Sequence, residues 1–178
     1  MSAIASIAAR AAEKNLPFLL AGGHAVIAHG HTRNTFDIDL IVRRNDQKQW
    51  TELALTLGYR FFHEGPTFLQ FNPPNDEMLP LDLMLVNEET FAKLAASACS
   101  APASAGGAKV VSLLHLLALK CHAIKHGHKG RVVKDADDVI QLIQVNRLDV
   151  NRADIREIFQ KYGTAELYEK VQRICAHD

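Results

Sequence analysis

Apolar residues recur at helical spacing at the start of this chain, then gather into short runs, then return to helical spacing. Residues 4–14 are Ala-rich and amphipathic, which predicts a helix. Residues 16–21 form an unbroken apolar run, read as a buried strand ended by Gly22-Gly23. Residues 24–29 follow as a short helix that starts at those glycines. Residues 37–42 are a second strand, and 46–57 a helix with Gly58 as its stop signal. Residues 59–63 and 67–71 read as two strands around Glu64-Gly65-Pro66, a hairpin signal. Pro73-Pro74-Asn75-Asp76 makes a turn, 81–86 another strand and 88–96 another helix. Residues 97–108 are rich in Ala, Ser and Gly and read as a linker. Beyond them the pattern is helical throughout, over 110–126, 131–145, 152–162 and 165–176.

This order predicts an α/β (α+β) fold: a small mixed sheet with flanking helices and a C-terminal helical unit. The expected division is a core over 1–97, a linker over 98–109 and a helical unit over 110–178. The helical unit is expected to pack on the core, because its apolar stripes need a partner. At 178 residues the chain can bury one good core with a helical appendage.

Composition changes the picture little. The 20 Lys+Arg balance the 20 Asp+Glu, so no overall basic field points to nucleic acid. Cys99, Cys121 and Cys175 are far apart and odd in number, which argues against a disulfide framework and suits a reducing compartment. The N-terminal stretch lacks the apolar core of a signal peptide, and no run nears the ~18 apolar residues that a membrane span needs. A cytoplasmic protein with no membrane partner is expected.

The chemistry gathers at Asp37-Ile38-Asp39-Leu40-Ile41-Val42. In a strand, alternate side chains share a face, so Asp37 and Asp39 point the same way. The bland alternative is an edge strand with solvated acids, but the β-branched neighbours suggest a central strand. Two carboxylates there repel each other and lose hydration, so a hard divalent cation is expected to hold them. Asp82 repeats the theme as the one acid in Leu81-Asp82-Leu83-Met84-Leu85-Val86. If that strand lies beside the first, three carboxylates converge, a ligand set for Mg²⁺ or Mn²⁺.

Upstream, Gly22-Gly23 lets backbone N–H groups approach an anion closely, although paired glycines often only make a turn. In the helical half, Lys120 falls within an apolar stripe and Asp135 at the edge of another. Two readings stay open: a Lys–Asp ion pair between helices, or direct contact of Lys120 with a nucleotide, Asp135 orienting it. His122 and His126 lie one helical turn apart, with His128 nearby, a weak zinc signal without an adjacent Glu or Cys. Arg43-Arg44 with Lys129 and Arg131 make a modest basic rim, either solvated or able to receive RNA phosphates. Trp50 and Phe61-Phe62 read as core.

Together, Gly22-Gly23, Asp37-x-Asp39 and Asp82 resemble the nucleotidyltransferase superfamily, the fold of DNA polymerase β and kanamycin nucleotidyltransferase. Lys120 and the run Lys134-Asp135-Ala136-Asp137-Asp138, with Arg33 and Thr35 ahead of the Asp pair, are similar to the AbiEii-type, toxin-like members. The resemblance implies transfer of an NMP from an NTP such as ATP to an acceptor hydroxyl on tRNA, protein or a small molecule. It implies that Asp37, Asp39 and Asp82 bind Mg²⁺ or Mn²⁺, and that Asp82 helps deprotonate the acceptor. Gly22, Gly23, Arg33, Lys120 and Asp135 would bind the nucleotide, and an antitoxin-like partner would be conceivable. Many members carry a serine where Gly23 stands. The alternatives are a non-catalytic nucleotide-binding module and a partner-regulated toxin-system component.

Overall fold

The computed structural model describes residues 2–127 and 129–175, without the side chains of 129–131. His128 and the side chains of Lys129 and Arg131, named above, lie outside the described residues, as does Ala176, where the last helix was expected to end. The described chain forms two compact units: residues 1–28 with 33–112, and residues 29–32 with 113–178.

In the first unit, α1 (Ala3–Glu13) begins at Ser2, whose hydroxyl accepts from the Ala5 N–H. Strand β1 (Phe18–Leu20), helix α2 (Gly22–Ala28) and strand β2 (Ile38–Arg43) follow. Helix α3 (Gln47–Thr56) leads to Gly58, at φ +86°, a left-handed position that suits glycine and turns the chain into β3 (Arg60–Gly65). Strands β4 (Phe68–Asn72) and β5 (Leu81–Val86) precede α4 (Glu88–Ala96). Asn87 caps α4 by accepting from the Thr90 N–H, and Glu88 and Glu89 favour its positive end.

The stretch expected to be a linker carries β6 (Cys99–Ser100), and β7 (Lys109–Val110) follows at its end, taking Val110 where the next helix was expected to begin. The two strands are antiparallel to each other, and β7 runs parallel to β1. The seven strands are ordered β3-β4-β5-β2-β1-β7-β6. The sheet is mixed, as expected: β2 pairs parallel with β5 and antiparallel with β1. Leu81, Leu83 and Leu85 alternate inward on β5, with Ile38, Leu40 and Val42 beside them on β2. Trp50, Leu53 and Phe91 are also fully or nearly fully buried, and the Trp50 ring meets Phe18 edge-on at 5.6 Å. Trp50 is core as expected. Phe61 and Phe62 are not: they are 49% and 64% exposed. Strand β3 is at the sheet's edge, and its register shifts between Phe61 and His63, which leaves Phe62 without a place on the inner face.

The second unit holds α5 (Leu113–His126), α6 (Lys129–Val145), α7 (Ala153–Tyr162) and α8 (Ala165–Cys175). Helix α5 packs on α6 and α7, and α8 on α6 and α7. Leu116, Leu117, Val139, Leu142, Ile143, Ile155, Phe159 and Val171 are buried. Cys121 is buried too, and its burial pushes the thiol up to about 12. A thiol raised in the folded state leaves stability intact below pH 9.0 and costs it as pH rises from there toward about 12. Exposed Cys99 is therefore expected to react at once with a disulfide reagent at pH 8, and Cys121 only in denaturant; a fast reaction of Cys121 in the native protein would contradict this packing.

Candidate active site

Strand β2 lies inside the sheet, with β5 on one side and β1 on the other. This disposes of the edge-strand reading of the Asp pair. The β2–β5 register sets Asp39 directly opposite Asp82, with Ile38 opposite Leu81. Asp37, just ahead of β2, lies on the same face. One carboxylate oxygen from each of Asp37, Asp39 and Asp82 falls within 4.8 Å of the other two, and all three residues are half-buried. The convergence follows from strand pairing: parallel in-register strands place opposite residues on one face.

The glycines stand against this cluster. The Ala21 N–H donates to the Asp39 carbonyl at 2.9 Å, which ties the end of β1 to the acid strand. Gly22 sits at φ +53°, and a Cβ built there would overlap Asp39 Oδ2 and its carbon. The carboxylate of Asp39 thus occupies the space that any side chain at 22 would need. A Cβ on Gly23 would overlap Thr35 Oγ1 and lie 3.2 Å from Arg33 Nη1. A serine at 23 therefore does not fit beside Thr35 as placed. Replacing Gly22 with Ala is expected to cost about 1–2 kcal/mol through the left-handed backbone alone, and more through displacement of Asp39. Thermal melts of Gly22→Ala check this; an unchanged melting temperature would show that Asp39 yields freely.

Thr35 Oγ1 donates to Asp37 Oδ1 at 3.2 Å, and Arg33 Nη1 donates to the Asn34 carbonyl at 2.8 Å. His24, on α2, has a buried Nε2 with no hydrogen-bond partner. Burial lowers its pKa, Asp37 opposes the shift and Arg33 adds to it. On the other flank, Gln70 Nε2 donates to Asp82 Oδ2 at 3.0 Å.

The first unit thus gathers Gly22, Gly23, Arg33, Asp37, Asp39 and Asp82. Lys120 and Asp135 belong to the second unit. There Lys120 Nζ meets Asp135 Oδ1 at 2.6 Å and Asp138 Oδ2 at 2.8 Å, with Asp138 fully buried. This is the ion-pair reading of Lys120, with Asp138 as a second acid. Of the histidines noted for zinc, His122 and His126 are exposed, with ring centroids 4.5 Å apart. Burial, His126 and Lys125 together lower the His122 pKa. Gln70 was not apparent from the sequence. An amide in a short strand carries no signal until the strand's partner and register are known.

No family model matches the sequence, and no curated protein matches it. Solved structures do match the fold. The antibiotic-resistance factor ANT(2'')-Ia in solution is 17% identical with a TM-score of 0.65, over 97% of this chain and 94% of that one. A nucleotidyltransferase-like protein from Paracoccidioides brasiliensis is 15% identical with a TM-score of 0.61, over 97% and 88%. The lincosamide antibiotic adenylyltransferase LnuA, bound to lincomycin, is 15% identical with a TM-score of 0.58, over 79% and 94%. The mixed sheet and its flanking helices are therefore the nucleotidyltransferase fold.

Proposed function

We propose that this protein transfers a nucleoside monophosphate from an NTP to an acceptor hydroxyl, with release of pyrophosphate. The observation that carries the reading is the meeting of Asp37, Asp39 and Asp82 within 4.8 Å on one face of a nucleotidyltransferase-fold sheet. Three half-buried carboxylates, all oxygen donors, suit a hard cation and fit Mg²⁺ or Mn²⁺. When bound, such an ion neutralises triphosphate charge and favours the in-line geometry of phosphoryl chemistry.

The roles of the chain's own residues follow. Asp37 and Asp39 hold the cation. Asp82 completes the ligand set and accepts the proton of the acceptor hydroxyl. Gly22 and Gly23 make room for the Asp39 carboxylate and the Thr35 hydroxyl, their backbone N–H groups are assigned to the phosphates, and Arg33 supplies a cation nearby. Most of the rate in this chemistry comes from such positioning and fixed charge. Lys120 and Asp135 are assigned to holding α5 to α6, because Lys120 is already engaged by two acids.

The likeness to antibiotic adenylyltransferases, with the balanced net charge, favours ATP as donor and a small hydroxylated acceptor over RNA. The toxin-like subgroup and an antitoxin-like partner rest on the motif resemblance alone. No described helix is long and apolar enough to cross a membrane. The test is transfer of label from each α-labelled NTP, with Mg²⁺, to aminoglycosides, lincosamides, tRNA and a cell lysate. Label in a small-molecule product supports the reading. NTP binding by calorimetry without any transfer would leave a binding module instead.

A further inference from the structure

We propose that Gln70 is a positioning residue for the carboxylate site, holding Asp82 in the orientation that a bound cation requires. The inference rests on the metal reading above. Gln70 is not among the motif residues that carry the family resemblance.

The placement is set by the sheet. Strand β4 pairs antiparallel with β5 and sets Gln70 opposite Asp82, while β5 sets Asp82 opposite Asp39. The three residues form one row across three strands, and a cross-strand row shares a face. Gln70 Nε2 donates to Asp82 Oδ2 at 3.0 Å, and both side chains are half-buried. The amide orientation is dictated by chemistry, since an ionised carboxylate only accepts and must meet the nitrogen. A carboxylate's final torsion is broad and soft, so a donor on one oxygen narrows where the group points. Outer partners of metal-binding carboxylates act in this way and set affinity.

The charge of the partner also matters. Gln70 is neutral, so it orients Asp82 without cancelling its charge. The other end of the cluster repeats the arrangement, where the neutral Thr35 hydroxyl donates to Asp37 Oδ1. A lysine at 70 would instead form an ion pair with Asp82 and compete with a divalent cation.

The experiment is a Mn²⁺ titration of the purified full chain, followed by electron paramagnetic resonance, beside thermal melts without metal. The proteins are the unaltered chain, Asp39→Asn, Gln70→Met, Gln70→Asn and Gln70→Lys. Gln70→Met keeps the length and removes the donor, and is expected to weaken Mn²⁺ binding by about 10–100-fold. Gln70→Asn keeps an amide that no longer reaches Asp82, and is expected to do the same; it carries the test if Gln70→Met does not fold. Gln70→Lys is expected to abolish Mn²⁺ binding while raising the metal-free melting temperature. A Mn²⁺ affinity within twofold of the unaltered chain in both Gln70→Met and Gln70→Asn would overturn the proposal, and a lowered melting temperature beside it would mark Gln70 as structural. If the unaltered chain shows no Mn²⁺ binding that Asp39→Asn removes, the metal reading itself falls, and this inference with it.

Discussion

Replacing Asp39 with Asn is expected to cut nucleotidyl transfer by about 10²–10³-fold while raising the melting temperature of the metal-free protein. The loss in rate is the size found when one preorganised electrostatic partner is removed from a reacting centre. The gain in stability comes from the same charges. Two unit charges 4 Å apart interact by about 1 kcal/mol in water and about 4 kcal/mol near a protein surface. Three carboxylates whose oxygens lie within 4.8 Å store such repulsion when no cation is bound. Asn keeps the shape and removes one charge. Opposite signs for activity and stability mark a functional cluster, since a merely structural acid loses both together. Transfer assays and thermal melts on the same preparation decide it. Full activity in Asp39→Asn would end the metal assignment.

Lys120→Met is expected to destabilise the protein by about 3–5 kcal/mol, the usual cost of removing one partner from a buried charge pair. Lys120 and Asp135 are 9% and 7% exposed, and Asp138 is fully buried. Without the lysine, two acids three residues apart on α6 lose their cation while still shielded from water. That is a large share of the roughly 5–15 kcal/mol that holds a typical domain. Urea denaturation measures it. The triple change Lys120→Met, Asp135→Asn, Asp138→Asn is expected to recover most of the loss, because replacing a whole buried ionic group is often nearly neutral. NTP affinity separates the two roles considered for Lys120: a structural lysine leaves the KM for NTP unchanged in the triple variant, and a nucleotide contact raises it. An unchanged denaturation midpoint in Lys120→Met would sink the structural role.

At Gly23 many members of the family the chain resembles carry a serine. In the structure the space beside it is filled by Thr35 Oγ1, which also donates to Asp37. The glycine is what lets Thr35 reach the acid pair.

The strands that carry Asp39 and Asp82 were legible because each is an apolar run broken by a single kind of misfit, an ionisable group where hydrocarbon is expected. Their inward residues, Leu40 and Leu83 among them, are buried as that pattern requires. The helices were legible through their period, and α4 matches its expected bounds, Glu88–Ala96. Strands β6 and β7 were not. Each has only two residues, too short to show any period, and β7 lies where the helical pattern was expected to begin. Phe61 and Phe62 misled because hydrophobicity does not say whether a strand lies at a sheet's edge.

By itself the sequence determined which residues had to leave water and which acids stood out among them, because those are local properties of side chains and spacing. Only the tertiary structure decided that Asp39 faces Asp82, that Gln70 joins their row, and that Lys120 is held by Asp135 and Asp138. Those facts depend on which strands and helices pair and in what register. The apolar pattern fixes which face of a strand turns inward, while the neighbour it pairs with is chosen by the packing of the whole sheet.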